Sequence, residues 1–254
     1  MQDILGYMRK AITDYHMIED GDKIAVGVSG GKDSVVLLTG LAWLQRFIGI
    51  RYTLVAVTLD PGFEGRQEDY SPIAALCEQF GMEYVVKRTG MGEIIFDIRQ
   101  EKNPCSLCSR MRRGALHDTA KEYGCNKIAL GHHFDDAVET FFMNLFHEGR
   151  IGCFSPVSYL SRKDLTMIRP LVYASEREIR NAAVREHLPI VKSKCPVDGV
   201  TNRQKTKEWL LQMEQEYPGL RKRVFGAMKR ADVDGWGTGE APRQNRDGIH
   251  SKSH

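Results

Sequence analysis

The sequence predicts an open, mostly parallel α/β sheet with helices on both faces. Three observations carry that prediction. Short β-branched runs alternate with segments of helical period; turn residues separate them; and two of the turns, Ser29-Gly30-Gly31 and Gly131-His132-His133, follow a strand and open a helix. With 254 residues, 42% hydrophobic and 27% charged, the chain can bury the core such a sheet needs.

The elements follow in order. Residues 1–20 place Ile4, Leu5, Met8, Ile12 and Tyr15 near a 3.6 period, a lead-in helix closed by Gly21 and Asp22. Lys23 to Val28 is the first strand. Asp33 to Arg46 carries Val35, Val36, Leu37, Leu38, Leu41 and Leu44 on a helix. Tyr52 to Leu59 is the second strand, Asp69 to Phe80 the second α/β helix and Glu83 to Lys87 the third strand. After the cysteine region come a helix over Met111 to Tyr123, a strand over Lys127 to Leu130 and a helix over Ala137 to Phe146. Met167 to Leu171 reads as the last strand, with Ser175 capping a helix that runs to about His187. Two terminal helices, Thr201 to Met213 and Tyr217 to Arg230, are parted by Pro218-Gly219. The expected organisation is a lead-in helix (1–22), a main α/β domain with a cysteine insertion (23–190), a basic helical segment (191–230) and a disordered Gly- and Ser-rich tail (231–254).

Composition excludes several function classes. Apolar runs such as Ile24 to Val28 are too short to span a bilayer, and the amino terminus lacks a signal-peptide pattern, so the expectation is a soluble, cytoplasmic chain with no membrane partner. Six cysteines in that setting argue against a disulfide framework. The formal charge of +3 neither demands nor forbids a polyanion.

Ser29-Gly30-Gly31-Lys32-Asp33-Ser34 directs backbone N–H groups and a helix N-terminus at one point, the chemistry of a phosphate site. It is not a Walker A loop, because Val26 occupies the position of the first glycine and Asp33 that of the Ser or Thr. Gly27, Gly30 and Gly31 have the wrong spacing for a dinucleotide fingerprint. The segment Gly131-His132-His133-Phe134-Asp135-Asp136 opens a helix at the same sheet edge. Its two carboxylates serve either as favourable first-turn charge or as ligands of a Mg²⁺ that bridges phosphates.

SGGKDS after a strand resembles the pyrophosphate loop of the PP-loop ATP pyrophosphatases, enzymes with a HUP-like Rossmannoid fold that split ATP between the α and β phosphates. The resemblance implies that Ser29, Gly30, Gly31, Lys32 and Ser34 hold phosphates, and that Asp33 orients the loop or assists Mg²⁺. Val57 and Leu59, at the carboxyl end of the second strand, would lie beside the adenine. GHHFDDAVET is similar to that superfamily's second motif. Gly131, His132 and Asp135 are its implied nucleotide or metal contacts, with Asp136, Glu139 and Thr140 as helix stabilisers.

Cys105 and Cys108 stand three residues apart, a spacing that suits zinc, an iron–sulfur cluster or a redox dithiol. Cys77 and Cys125 sit among apolar residues and read, with Cys153, as packing cysteines, whereas Cys195 occupies a polar loop. CSLCSRMRRGAL, LGHHFDDAVETFFMNLF and IRPL together resemble the TtcA/TtuA family of tRNA thiolases, nearest to the tRNA 2-thiocytidine synthetases, over about residues 20–230. The resemblance implies that Cys105, Cys108 and Cys195 ligate a 4Fe-4S cluster with one iron free of protein ligands, and that Arg112 steadies a phosphate or the activated base. It also implies tRNA as substrate, a cysteine desulfurase or free sulfide as sulfur donor, and a homodimer. The third cysteine departs from a common pattern in that no second CxxC surrounds it; Asp198 is the alternative fourth ligand.

Eight basic residues between Arg203 and Arg230 face three acidic ones, and Arg99, Lys102, Arg110, Arg112 and Arg113 surround the CxxC. Such patches suit RNA phosphates, with Arg110 and Arg113 as solvent or RNA contacts. The expected function is an ATP-dependent tRNA sulfurtransferase that forms 2-thiocytidine. The alternatives are a 2-thiouridine synthetase or another adenylating tRNA-modifying enzyme, and, from a different class, a non-catalytic ATP-binding redox sensor.

Overall fold

The computed structural model describes residues 1–63, 68–101, 104–191, 195–196 and 202–238. Asp198, Lys102 and the tail from 239 onward lie outside the described residues. The elements in chain order are α1 (Gln2–Asp14), β1 (Asp22–Gly27), α2 (Lys32–Leu44), β2 (Tyr52–Asp60), α3 (Ser71–Gln79), β3 (Glu83–Arg88), a π-helical turn (Glu93–Ile98), α4 (Pro104–Glu122), β4 (Lys127–Ala129) and α5 (Phe134–Glu148). Then follow β5 (Val157–Leu160), β6 (Leu165–Ile168), α6 (Glu176–Arg185), α7 (Asn202–Glu216), α8 (Leu220–Arg230) and a 3-10 turn (Val233–Gly235).

The six strands lie in the order β3-β2-β1-β4-β6-β5, all parallel except β5, which returns antiparallel to β6. Strand alternation sends Ile24 and Val26 to one face, packed with α1, α2 and α6, and Ala25 to the other, packed with Leu116 and Ala120 of α4. Helix α2 is apolar on every side: Val35, Val36, Leu37 and Leu38 are all fully buried. It lies between the sheet and a second helical layer formed by α1 and α6. Chain order reverses between β1 and β4, so their carboxyl ends frame a crevice, the usual place for a ligand in an open α/β sheet.

The structure departs from the sequence-based expectation at several points. Helix α1 ends at Asp14, and Met17 and Ile18 are buried beyond it, after a turn at Tyr15 and His16. Helix α4 begins at Pro104, which places the CxxC in its first two turns. Proline there costs nothing, because its missing N–H would have no partner in any case. Helix α5 begins at Phe134, fixed by a reciprocal cap: the His133 N–H donates to Asp136 Oδ2 at 3.0 Å, and the Asp136 N–H to His133 Nδ1 at 3.4 Å. The last strand is Leu165–Ile168 rather than Met167 to Leu171, and it pairs with an additional strand, β5. Residues 231–238 are not a loose tail, since Trp236 is among the most deeply buried side chains of the molecule.

Candidate functional site

A cavity of about 730 Å³ opens at the β1–β4 crevice, between the two helix-opening turns and α4. Its floor is the end of β1 (Gly27, Val28), and Val57 and Leu59 of β2 line it. Ser29, Asp33 and Ser34 reach it from the glycine turn, and Gly131, His132 and Asp136 from the β4 turn.

The glycine turn is rigid by its own bonds. Ser34 Oγ accepts from the Ser29 N–H at 3.1 Å and donates to the Gly31 carbonyl at 2.9 Å. Gly31 is the N-cap of α2 and supplies no side-chain acceptor, so the first-turn N–H groups keep their capacity for an anion. Gly30 needs its φ of +88°, and a Cβ there would stand 3.0 Å from Val191 Cβ. Gly131 needs close approach instead, since a Cβ would meet the Asp33 carbonyl carbon and the Ser34 nitrogen, both at 3.1 Å. Backbone packed on backbone thus holds the two turns together.

Gly30, Gly31 and Lys32 do not line the cavity. The Lys32 ammonium sits 3.1 Å from Asp33 Oδ2 and 3.2 Å from Glu176 Oε1. Burial opposes its charge, but the two carboxylates prevail and raise its pKa. Burial likewise opposes ionisation of Glu176, yet Lys207 and Lys32 outweigh it and hold this carboxyl down at about 2. The other oxygen of Asp33, Oδ1, is buried without a hydrogen-bond partner among the described residues.

The acidic pair divides its work differently from expectation. Asp135, expected to be the nucleotide or metal contact, does not line the cavity. Its Oδ2 accepts the Glu176 N–H at the start of α6, and its Oδ1 holds Arg221 of α8, both at 2.7 Å. Asp136, expected to serve the helix, does cap it and also faces the cavity, with Arg203 Nη1 at 3.3 Å. Consecutive helical residues point about 100° apart, and here that turn carries Asp136 to the cavity and Asp135 to α6 and α8.

Helix α4 supplies the thiols. A spacing of three puts Cys105 and Cys108 on one helical face, and both line the cavity together with Cys195 and Arg112. The Cys108 thiol is pushed up in pKa by burial, pulled down by Arg112 and raised again by Cys195 and Cys105, so the three thiols and the guanidinium share one electrostatic environment. Among the described residues no group of three or more His, Cys, Asp or Glu side chains converges on a single metal ion. Thiolates of a cubane cluster each bind a different iron and therefore stand farther apart than the ligands of one ion, so an all-sulfur set of three around a cavity fits a cluster and not a structural zinc. Cys77, Cys125 and Cys153 are buried in the core.

Other site residues were not singled out from sequence. Arg169, the arginine of IRPL, is buried at the end of β6 and lines the cavity. It donates from Nε to His132 Nδ1 at 3.3 Å, and its guanidinium stacks 5.0 Å from the centre of the Phe154 ring. Burial and the neighbouring Arg169 charge lower the His132 pKa to about 4, which keeps the imidazole neutral. Arg113, expected to face solvent or RNA, lines the cavity, as does His117, whose buried Nε2 has no hydrogen-bond partner among the described residues. Of the carboxy-terminal basic residues, Arg203, Lys207 and Arg221 are engaged by acids of α5 and α6, whereas Lys205, Lys222, Arg223 and Arg230 remain exposed.

The PP-loop domain family matches residues 6–205. A tRNA-cytidine(32) 2-sulfurtransferase of Syntrophotalea carbinolica is 41% identical over 222 residues, covering 86% of this chain and 85% of that protein. One from Pelobacter propionicus is 42% identical over 222 residues, with 86% and 82% covered. Among solved structures, the U34-tRNA thiolase NcsA from Methanococcus maripaludis, described with its 4Fe-4S cluster, superimposes with a TM-score of 0.75 at 26% identity, over 91% of this chain and 78% of that one. The chain belongs to the PP-loop family, within the TtcA/TtuA group of tRNA thiolases that holds the tRNA-cytidine(32) 2-sulfurtransferases.

Proposed function

We propose that the chain is an ATP-dependent tRNA sulfurtransferase that replaces O2 of an anticodon-loop cytidine with sulfur, giving 2-thiocytidine. One observation carries this reading: the uncapped α2 N-terminus and three thiols open onto the same cavity. The relatives' names supply the base and its position.

ATP lies with its adenine against Val57 and Leu59 and its phosphates at the glycine turn, where Ser29, Asp33 and Ser34 line the cavity. Asp33 and Asp136 are the carboxylates positioned for Mg²⁺, and the orphaned Asp33 Oδ1 suits a cation. The cytidine O2 attacks the α-phosphorus, the bond to the β-phosphate oxygen breaks, and pyrophosphate leaves. Sulfur then adds at C2 and the C–O bond breaks, releasing AMP. Cys105, Cys108 and Cys195 would hold a 4Fe-4S cluster, which when bound supplies the sulfur nucleophile beside the activated carbon. Arg112 and Arg113 stabilise the negative charge that builds on the leaving phosphate. Exposed Lys205, Lys222, Arg223 and Arg230 meet the RNA backbone. A cysteine desulfurase or free sulfide recharges the sulfur, the working form is a homodimer, and the compartment is the cytoplasm. Among the described residues no helix is long and apolar enough to cross a membrane.

The modified-nucleoside profile of a strain lacking the chain tests this. Loss of 2-thiocytidine alone is the expected result; loss of 2-thiouridine would move the substrate to uridine, and an unchanged profile would end the reading. In vitro, Cys105→Ala should abolish sulfur transfer and the brown chromophore of the anaerobically purified protein while ATP binding persists.

A further inference from the structure

Arg169 is a deeply buried charge on the cavity wall, 5% exposed, and no carboxylate answers it among the described residues. The ionisable neighbours that act on it are the Cys153 thiol and Arg113, and Arg113 repels it. A buried guanidinium without a counter-charge is costly unless a ligand completes its shell. The protein has nevertheless built a rigid seat for it. Nη1 donates to the Ser155 carbonyl and to Ser158 Oγ at 3.3 Å, Nε donates to His132 Nδ1, and the plane lies over Phe154. These bonds leave the second terminal nitrogen, Nη2, without a partner among the described residues.

The same bonds set the tautomer of His132. Because Nδ1 accepts from Arg169, the proton of the neutral ring sits on Nε2, which makes it a second donor beside the guanidinium. Neither carboxylate that shares the cavity pairs with Arg169 among the described residues, although Asp33 Oδ1 keeps no hydrogen bond of its own. Asp136 is held by the His133 N–H and Arg203, and Asp33 by Lys32. With Arg113 on the same wall, the β4–β6 side of the cavity therefore presents donors and positive charge to whatever enters.

We propose that Arg169 and the Nε2–H of His132 form a second anion receptor, separate from the glycine turn, that takes a phosphate oxygen of a ligand in the cavity. The proposal deepens the sulfurtransferase reading and rests on it. Two sources share this chemistry: the nucleotide's own phosphate and a backbone phosphate of the RNA around the flipped cytidine.

The test compares wild type with Arg169→Gln and Arg169→Lys, each as the full chain purified anaerobically. AMP and adenosine are titrated by calorimetry, and an anticodon stem-loop RNA is titrated at several salt concentrations. If the nucleotide is the source, Arg169→Gln weakens AMP about tenfold or more, leaves adenosine unchanged, and Arg169→Lys recovers part of the loss. If RNA is the source, AMP binding is unchanged while RNA affinity drops and the slope of log affinity against log salt shrinks by about one. Wild-type affinities for AMP and RNA in a folded Arg169→Gln chain would overturn the receptor. Should that variant not fold, His132→Asn and Arg169→Lys are read by the same criteria. A wild-type chain that binds neither ATP nor the stem-loop removes the sulfurtransferase reading and the receptor with it, whereas wild-type binding retained by the variants removes the receptor alone.

Discussion

His132 shows how one half-buried side chain ties stability to pH. Burial and Arg169 hold its folded-state pKa near 4, while the unfolded ring takes its proton near the ordinary value of 6.5. Between those values the unfolded chain binds more protons than the folded one. Stability is therefore complete above about pH 6.5 and falls as pH drops toward 4, by roughly 3 kcal/mol for this group. His117, lowered by burial and Arg113, acts in the same direction. Melting temperatures measured from pH 7.5 to 4.5 should flatten in His132→Gln and flatten further when His117→Gln is added; an undiminished slope in the double variant would assign the acid sensitivity elsewhere. Gly131 makes a second residue-scale case. Its Cβ space is filled by the backbone of Asp33 and Ser34, so no rotamer change can relieve Gly131→Ala. We expect a loss of about 2 kcal/mol and at least tenfold weaker ATP binding, measured by melting and calorimetry. Wild-type ATP affinity in that variant would show that the turns need not touch.

At the scale of elements, α5 is tied to its neighbours by its acids as well as by its apolar face. Asp135 connects its first turn to α6 and α8, and Asp135→Asn would leave the half-buried Arg221 with only the more distant Glu214, at 3.9 Å, as counter-charge. The expected cost is about 2 kcal/mol, a fall of roughly 4 to 8 °C in Tm, with turnover per folded molecule unchanged at low temperature. Abolished turnover at unchanged Tm would instead return Asp135 to the catalytic set. Sequence periodicity could not make this distinction, because Asp135 and Asp136 are chemically identical and only the turn of the helix separates their destinations. The strands and both helix-opening turns were legible, since β-branched runs that end in glycine leave few alternatives. Strand β5 was not. Its four residues, VSYL, are half-exposed at a sheet edge and form only because β6 lies alongside. Arg169 was hidden for the same reason: a single arginine after an apolar strand looks like the strand's end until tertiary packing buries it.

For the molecule as a whole, the segment read as a loose tail proves to be a strut. Trp236 is fully buried, donates from Nε1 to the Phe154 carbonyl at 2.7 Å, and its own carbonyl accepts from Tyr15 Oη at 3.1 Å. Its ring packs edge-on against Phe225 of α8 at 5.0 Å, and Asp234 accepts the Cys153 N–H at 2.7 Å. A lone tryptophan among Gly, Asp and Thr has no periodic partner, so nothing local announced this role. Its consequence runs to the cavity, because Phe154 lies under Arg169 and 5.0 Å from the His132 ring. Trp236→Ala should cost about 3 to 5 kcal/mol and lower Tm by roughly 10 °C, whereas Trp236→Phe, which keeps most of the apolar volume and loses the N–H bond, should cost about 1 kcal/mol beyond the small change in packing. Because the strut sets the position of Phe154 and touches no reacting atom, the folded Trp236→Phe chain should show a raised KM for ATP or RNA with kcat nearly intact. A fall in kcat with KM unchanged would mean that residues 232–237 act on the chemical step itself and not on the wall of the site.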